Sequence, residues 1–358
     1  MTKKKVVHIV EAFGGGVFSF LVDLTSSLSE DYDFVIVFAK RKETPADFKN
    51  YFPKNTKFIE SKYLQRSVKP WREFKAIREI RRIIKNEAPD VVHLHSSKAG
   101  AIGRLACPGK VNGKRIKMLY NPHGFAFLME DTSKIKRWIY KMVERVLSVR
   151  NCTLVAVSAG EYKEARKLTK KVVQIDNGID TVKLDLEIKD FKRPRRGGVL
   201  RICTAGRISE QKNPVLFNEI AELLPEMEFV WIGEGDLRGT LVAPNIKKTG
   251  WVERAEVLRQ MNEAEVFMMT SLWEGMPIAL LEAMYMGKIC LVSDVIGNRD
   301  LVKEGKTGFV AKDAQEFVRR LRKINEERDL EVGRRARDEV VKKYGLKEMA
   351  NKYRKVYE

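Results

Sequence analysis

Short runs rich in β-branched residues alternate with amphipathic helical stretches along the whole 358-residue chain, and no other feature of the sequence restricts its fold as much. The runs begin with "VVHIV" (6–10), "FVIVFA" (34–39), "VVHLH" (91–95), "KMLYN" (117–121), "TLVAVS" (153–158) and "VVQIDN" (172–177). Between them lie stretches such as "WREFKAIREIRRIIKN" (71–86), where Phe74, Ile77, Ile80, Ile83 and Ile84 recur at helical spacing. Apolar strands separated by helices form parallel sheets covered on their faces. The pattern breaks at "KRPRRGG" (192–198), a basic stretch with Pro and Gly that suits an exposed linker. It restarts with "LRICTAG" (200–206), "EFVWIGEG" (228–235), "VFMMTS" (266–271), "ICLVSD" (289–294) and "GFVA" (308–311). The expected fold class is α/β: two facing Rossmann-like, doubly wound domains at 1–192 and 199–340, with a helix at 341–358 crossing back to the N-terminal domain.

A chain of this length exceeds the roughly 100–200 residues of one ordinary domain, and its 44% hydrophobic fraction can supply two cores. No run of about 18 apolar residues occurs. The opening "MTKKKVVHIVEAFGGG" has neither the apolar stretch nor the cleavage site of a signal peptide, so a cytoplasmic protein is expected. Cys107, Cys152, Cys203 and Cys290 lie far apart with no Cys-x-x-Cys pair, which argues against a zinc site or a disulfide framework. Charge is unevenly spread: residues 1–195 hold 40 Lys and Arg against 22 Asp and Glu, and residues 196–358 hold 28 against 26. The first half is thus directed at something anionic, whether nucleic acid, a phosphorylated substrate or lipid headgroups. No recognition module or aromatic stacking platform accompanies the charge, which disfavours nucleic acid.

In open parallel sheets a ligand sits outside the carboxyl ends of the strands, where helix N-termini offer backbone N–H groups. The first strand runs into "EAFGGGVFSF", where Gly15 and Gly16 let backbone approach a ligand; serine at 19 breaks the dinucleotide fingerprint. "VVHLHSSKAG" sets His93 and His95 on one strand face and Ser96, Ser97 and Lys98 at a helix start, a group suited to phosphate or sugar hydroxyls. His93 reads as a core residue, and for His95 both readings stay open. "YNPHGFAF" puts His123 just past a strand, able to donate to a sugar hydroxyl or a departing phosphate. "TAGRISEQKN" carries Arg207 and Lys212 between strand and helix, two cations for a diphosphate. "TSLWEGMPIALLEAMYMG" leaves a strand and enters a helix at about Pro277, presenting Glu274, the amides of Gly275, Met276 and Ile278, and Glu282 a turn or two along. The acidic triplet "DYD" (31–33) precedes its strand, the wrong end for a metal site. "KIKRWIYKMVERVL" (134–147) alternates basic and apolar residues, as would either a helix packed on the sheet or one lying at an acidic lipid surface.

In this order, "FGGGVFSF", "DVVHLHSSKAG", "NPHGF", "VAVSAGE", "IDNGID", "GRISEQKN", "WEGMPIALLEAMYMG" and "LVKEGKTGFV" resemble the retaining glycosyltransferases of family 4, which have the GT-B fold, along essentially the whole chain. "HLHSSKAG" followed by "NPHGF" is further similar to bacterial capsule and exopolysaccharide enzymes that add a sugar to a polyprenyl-diphosphate-linked acceptor. The resemblance implies a nucleoside-diphosphate sugar donor, uridine diphosphate being the commonest in the family, with no cofactor and no metal. It implies that Gly15 and Gly16 lie beside the donor phosphate and sugar, that Arg207 and Lys212 hold the diphosphate, and that Glu282 binds the ribose. Glu274, with Gly275, Met276, Pro277 and Ile278, would grip the donor sugar, and Trp251 and Val252 would border the base. His123 and Glu274 would serve catalysis, with His95, Ser96, Ser97 and Lys98 toward the acceptor. Domain 1–192 would bind the acceptor and 199–340 the nucleotide sugar, peripherally on the inner face of an anionic bacterial membrane. A GT-B-fold sugar-nucleotide epimerase and a basic nucleic-acid-binding protein stand as the alternatives.

Overall fold

A run that is apolar at every position can pair in a sheet only where both faces are covered. The strands obey this rule. The computed structural model describes residues 3–65, 70–130, 132–191 and 198–358, so all of the expected linker except Gly198 lies outside the described residues. Its strands are β1 (Lys4–Val10), β2 (Tyr32–Phe38), β3 (Lys57–Glu60), β4 (Val91–His95), β5 (Lys110–Val111), β6 (Lys114–Arg115), β7 (Lys117–Asn121), β8 (Thr153–Ala156), β9 (Val172–Gln174), β10 (Arg201–Ala205), β11 (Glu228–Ile232), β12 (Ile246–Lys248), β13 (Val266–Met269), β14 (Ile289–Ser293) and β15 (Phe309–Ala311). Its α-helices are α1 (Gly15–Leu28), α2 (Pro70–Glu87), α3 (Ser97–Ala106), α4 (Lys134–Leu147), α5 (Ala159–Arg166), α6 (Thr181–Ile188), α7 (Pro214–Glu222), α8 (Arg254–Glu263), α9 (Ile278–Tyr285), α10 (Asn298–Leu301), α11 (Ala314–Glu327), α12 (Glu331–Lys343) and α13 (Leu346–Tyr357).

The first unit comprises Met1–Asn177 with Leu346–Glu358, and its seven parallel strands run in the order β3-β2-β1-β4-β7-β8-β9. Every residue of β4 is buried. Val7, Ile9, Val92 and Leu94 from the sheet pack with Ile80 and Ile84 of α2 and Ala99 and Ile102 of α3. The register sets Val10 beside His95, and His95 beside Asn121, so the carboxyl ends of β1, β4 and β7 form one level rim. Helix α13 packs on α1 and sends Tyr353 and Tyr357 into this unit, both fully buried, which fulfils the expected return of the C-terminal helix.

The second unit, Gly178–Gly345, has six parallel strands in the order β12-β11-β10-β13-β14-β15. Its core sets Ile202, Phe229, Trp231, Met268 and Leu291 against Phe217, Ile220 and Leu321. Two Rossmann-like parallel sheets with C-terminal helices make this the GT-B architecture. The division falls after Asn177, not at 192, because α6 belongs to the second unit: Asp185 accepts from Tyr285 Oη at 2.8 Å, and Glu187 binds Arg254 at 3.0 Å. All four cysteines are buried and free. Among the described residues no helix is long and apolar enough to cross a membrane.

Candidate active site

Beyond β1 the chain enters α1 at Gly15, whose φ of 53° lies in the left-handed region that glycine tolerates. A side chain added at Gly15 or Gly16 would meet none of the described residues within 4 Å, which leaves room for a ligand over this helix start. The turn is braced by residues the sequence did not single out. Glu11 is ion-paired with Arg41, whose Nε also donates to the Glu11 carbonyl at 3.1 Å, and the Thr44 hydroxyl donates to the Phe13 carbonyl.

All four histidines of the chain meet at the rim beside this turn. His95 is fully buried, its Nε2 2.9 Å from His8 Nδ1 and its Nδ1 3.1 Å from His123 Nε2. His93 Nδ1 lies 2.8 Å from Tyr357 Oη and its Nε2 faces Asn121 Oδ1, while Asn121 Nδ2 donates to Tyr353 Oη at 2.8 Å. With its amide nitrogen so used, Asn121 accepts through Oδ1, which assigns the His93 proton to Nε2 and makes Tyr357 the donor to Nδ1. Burial lowers the pKa of His93 to about 4. Burial first, then the neighbouring histidines, holds His8 and His95 well below the ordinary value, and burial followed by His93 brings His123 down to about 3. At neutral pH the cluster is therefore uncharged.

A neutral imidazole has one N–H and one acceptor, so the two hydrogen bonds of the row His8–His95–His123 must point the same way. When they point toward His123, its Nδ1 carries the proton and can donate outward. His8, His93 and His95 bring ring nitrogens within 4.8 Å of one another, a spacing that a metal could span. Both nitrogens of His93 and both of His95 already hold protein partners, however, and of the three only His8 Nε2 is without one among the described residues, so the set fits hydrogen bonding better than ligation.

Of the residues expected toward an acceptor, three are engaged within the unit. His95 is enclosed by the other histidines, Ser97 Oγ accepts from Ala126 N at 3.1 Å, and Lys98 Nζ pairs with Glu73 at 2.8 Å. Ser96 differs. It holds φ 76° and ψ 155°, a region that is nearly glycine-only, and its buried hydroxyl has no partner among the described residues.

In the second unit the loops after β10 and β13 are laced together. Leu272 N donates to the Gln211 carbonyl at 2.8 Å, and the Thr270 hydroxyl donates to the Lys212 carbonyl at 2.8 Å. This lacing brings Lys212 Nζ to 2.7 Å from Glu274 Oε1, with the carboxylate 7% exposed and Gln211 Nε2 3.4 Å from its other oxygen. The loop that carries Arg207 is pressed from behind: Gly233, at φ 142°, lies so close to the Gly206 carbonyl that any Cβ would collide with it. Pro277 is the N-cap of α9, so Ile278 opens the helix and Glu282 falls in its second turn among fully buried Leu280, Leu281, Ala283 and Met284. Arg254 Nη1 holds Glu282 Oε1 at 2.8 Å. Burial works against the Arg254 guanidinium, but Glu282 and Glu187 outweigh it and raise its pKa. Trp251, past the carboxyl end of β12, is 52% exposed, and Val252 beside it is half-buried.

Residues 14–183 match the family described as Glycosyltransferase Family 4, and residues 200–327 match Glycosyl transferases group 1. The UDP-Gal:alpha-D-GlcNAc-diphosphoundecaprenol alpha-1,3-galactosyltransferase of Escherichia coli is 30% identical over 324 residues, covering 82% of this chain and 81% of that protein. The chain belongs to glycosyltransferase family 4. Another relative, the amylovoran biosynthesis glycosyltransferase AmsK of Erwinia amylovora, is 26% identical over 263 residues, 67% of this chain and 62% of AmsK. The sucrose-phosphate synthase of Thermosynechococcus elongatus superposes with a TM-score of 0.80 at 14% identity, covering 99% of this chain and 98% of that one, a likeness of fold.

Glu161 and Arg254 of this glycosyltransferase likewise carry no assignment in the sequence reading. Glu161 is fully buried and accepts from Gly124 N at 2.7 Å and Val157 N at 2.8 Å, which fixes the loop that carries His123. Its signal was present in "SAGE", a Ser-x-x-Glu helix start in which Ser158 caps Glu161 N. Arg254 left no such signal, since an arginine opening a polar helix is ordinary and its partners Glu187 and Glu282 lie far off in sequence.

Proposed function

We propose that this family 4 enzyme moves a sugar from a nucleoside-diphosphate donor, a uridine diphosphate sugar by preference, to a polyprenyl-diphosphate-linked saccharide during capsule or exopolysaccharide assembly. The observation that carries the reading is the Lys212–Glu274 pair at the carboxyl edge of the second sheet, 2.7 Å apart and largely buried. A lysine held there can pass its charge to a diphosphate as the carboxylate turns to sugar hydroxyls. Arg207 shares the diphosphate, Glu282 and Arg254 meet the ribose, and exposed Trp251 offers a face to the base. The Escherichia coli relative, named for a UDP-sugar donor and a sugar on diphosphoundecaprenol, supports this choice of donor and acceptor.

In the proposed reaction the bond from the anomeric carbon to the diphosphate oxygen breaks, and its electron pair leaves with the nucleoside diphosphate. An acceptor hydroxyl attacks from the same face, so configuration is retained, and its proton passes to the departing phosphate oxygen. Arg207 and Lys212 neutralise the leaving charge, and His123 steadies the sugar. Ser96, strained and with its hydroxyl unpartnered, supports placing the acceptor at the rim of the first sheet.

The test is transfer from a panel of sugar nucleotides to a synthetic polyprenyl-diphosphate saccharide, with product stereochemistry read by NMR. Glu274→Ala and Lys212→Ala are each expected to lose transfer by at least about a hundredfold with unchanged circular dichroism. Near-normal turnover in either variant, or an inverted product, overturns the assignment. A donor altered without any acceptor would favour an epimerase.

A further inference from the structure

We propose that the outward face of α4, joined by the first turn of α2, is an anchor that inserts into the interfacial layer of an anionic lipid bilayer. Helix α4 packs on its unit with the polar side inward. Glu144 is buried there, accepting from Arg104 Nη2 at 2.7 Å and Tyr120 Oη at 2.8 Å, and Arg137 Nε donates to the Phe127 carbonyl at 3.1 Å. The apolar stripe points the other way: Ile135 is 74% exposed, Trp138 61%, Ile139 45% and Val146 66%. Counted from Ile135 these positions are i, i+3, i+4 and i+11, so they share one face, which in an ordinary surface helix would meet the core. Lys134, Lys136, Lys141 and Arg145 flank that stripe.

Helix α2 adds to this surface. Trp71 and Phe74 are each 55% exposed, with Lys75 Nζ 4.6 Å from the Trp71 ring and the Arg78 guanidinium 4.2 Å from that of Phe74. Helix α3 packs against both α2 and α4. It starts directly after β4 ends, whereas α2 and α4 lead into the amino ends of β4 and β8, so the N-terminal turns of all three lie at the carboxyl edge of the sheet. His123 and Ser96 lie at this same edge.

Charge selects the occupant. The first unit holds 39 Lys and Arg against 20 Asp and Glu, and the second 29 against 28. An apolar stripe rimmed by long cationic side chains matches an acyl layer below and anionic headgroups around it. Two copies of the chain meeting through this face would bring like-charged rims together. The anchor deepens the lipid-linked acceptor reading and rests on it for its role in turnover, but its physical binding is measured without catalysis.

The experiment sediments the full chain with phosphatidylcholine vesicles, with and without phosphatidylglycerol, beside a variant carrying Ile135→Ser, Ile139→Ser and Val146→Ser. The wild-type chain is expected to bind only the anionic vesicles and to be released by salt. The variant is expected to lose at least about tenfold in partitioning while keeping its circular dichroism and its transfer to a short-chain, water-soluble acceptor. Equal binding by variant and wild type, or indifference of the wild type to anionic lipid, overturns the proposal, as does a dimer that the substitutions dissociate without any vesicle binding. Vesicle binding by a wild-type chain that transfers no sugar would sink the enzymatic reading and leave the anchor standing.

Discussion

His95 can act on a substrate only through His123. It has no exposed surface, and its two nitrogens span the gap between His8 and His123. Its expected function is to fix which nitrogen of His123 carries the proton, a positioning role whose loss typically costs about 10- to 100-fold. His95→Phe should therefore lower kcat to about that extent with donor KM little changed, and His95→Gln, which can both accept and donate, should recover part of the loss. Steady-state kinetics checks this, and equal kcat in His95→Phe and wild type would count against it. The sequence disclosed His95, Lys212 and Glu274 singly because each follows a strand. It could not disclose their pairing, since whether Lys212 meets Glu274 depends on how loops 57 or more residues apart are tied by Thr270 and Leu272.

Strand ends were legible because their flanking runs are continuously apolar, and two of the edge strands were not for the converse reason. β3 and β12, each an edge strand of its own sheet, carry polar residues on half-covered faces, so neither stands out as a buried run. Helix α4 was legible as a helix but ambiguous as to its inward face, because a hydrophobic stripe does not say which side meets the sheet. Glu144 decides it. Its pair with Arg104 lies at 3% and 5% side-chain exposure, with the guanidinium 4.5 Å from the Tyr120 ring. Removing one partner of such a pair strands the other charge, at a cost of about 3–5 kcal/mol, whereas replacing both by apolar residues is often neutral. Glu144→Ala should therefore lower the urea midpoint markedly, and Arg104→Met with Glu144→Leu should restore most of it. A Glu144→Ala variant as stable as wild type would mean that α4 is held by something other than its polar side.

Across the whole molecule the two units differ in charge and also in how they answer to acid. All four histidines belong to the first unit, and the second has none. Three of them, His8, His93 and His95, are fully buried, and burial depresses each pKa, that of His93 to about 4. Because the folded values lie below the unfolded value of 6.5, the unfolded chain takes up protons first as pH falls. Their contribution is thus fully present above pH 6.5 and is lost on acidification, by up to about 1.4 kcal/mol per pH unit for each histidine that stays neutral. Carboxylates whose folded pKa is depressed, such as Glu339 in the second unit, begin to matter only below their ordinary value of 4.5. Between pH 6.5 and 4.5 the loss should therefore be confined to the first unit. Hydrogen exchange, corrected for its intrinsic pH dependence, should show protection falling in peptides from β1, β4 and β7 while β10, β13 and β14 hold theirs. Parallel loss in both sheets, or constant protection in the first, would mean that the buried histidines do not stay neutral or that the units open as one.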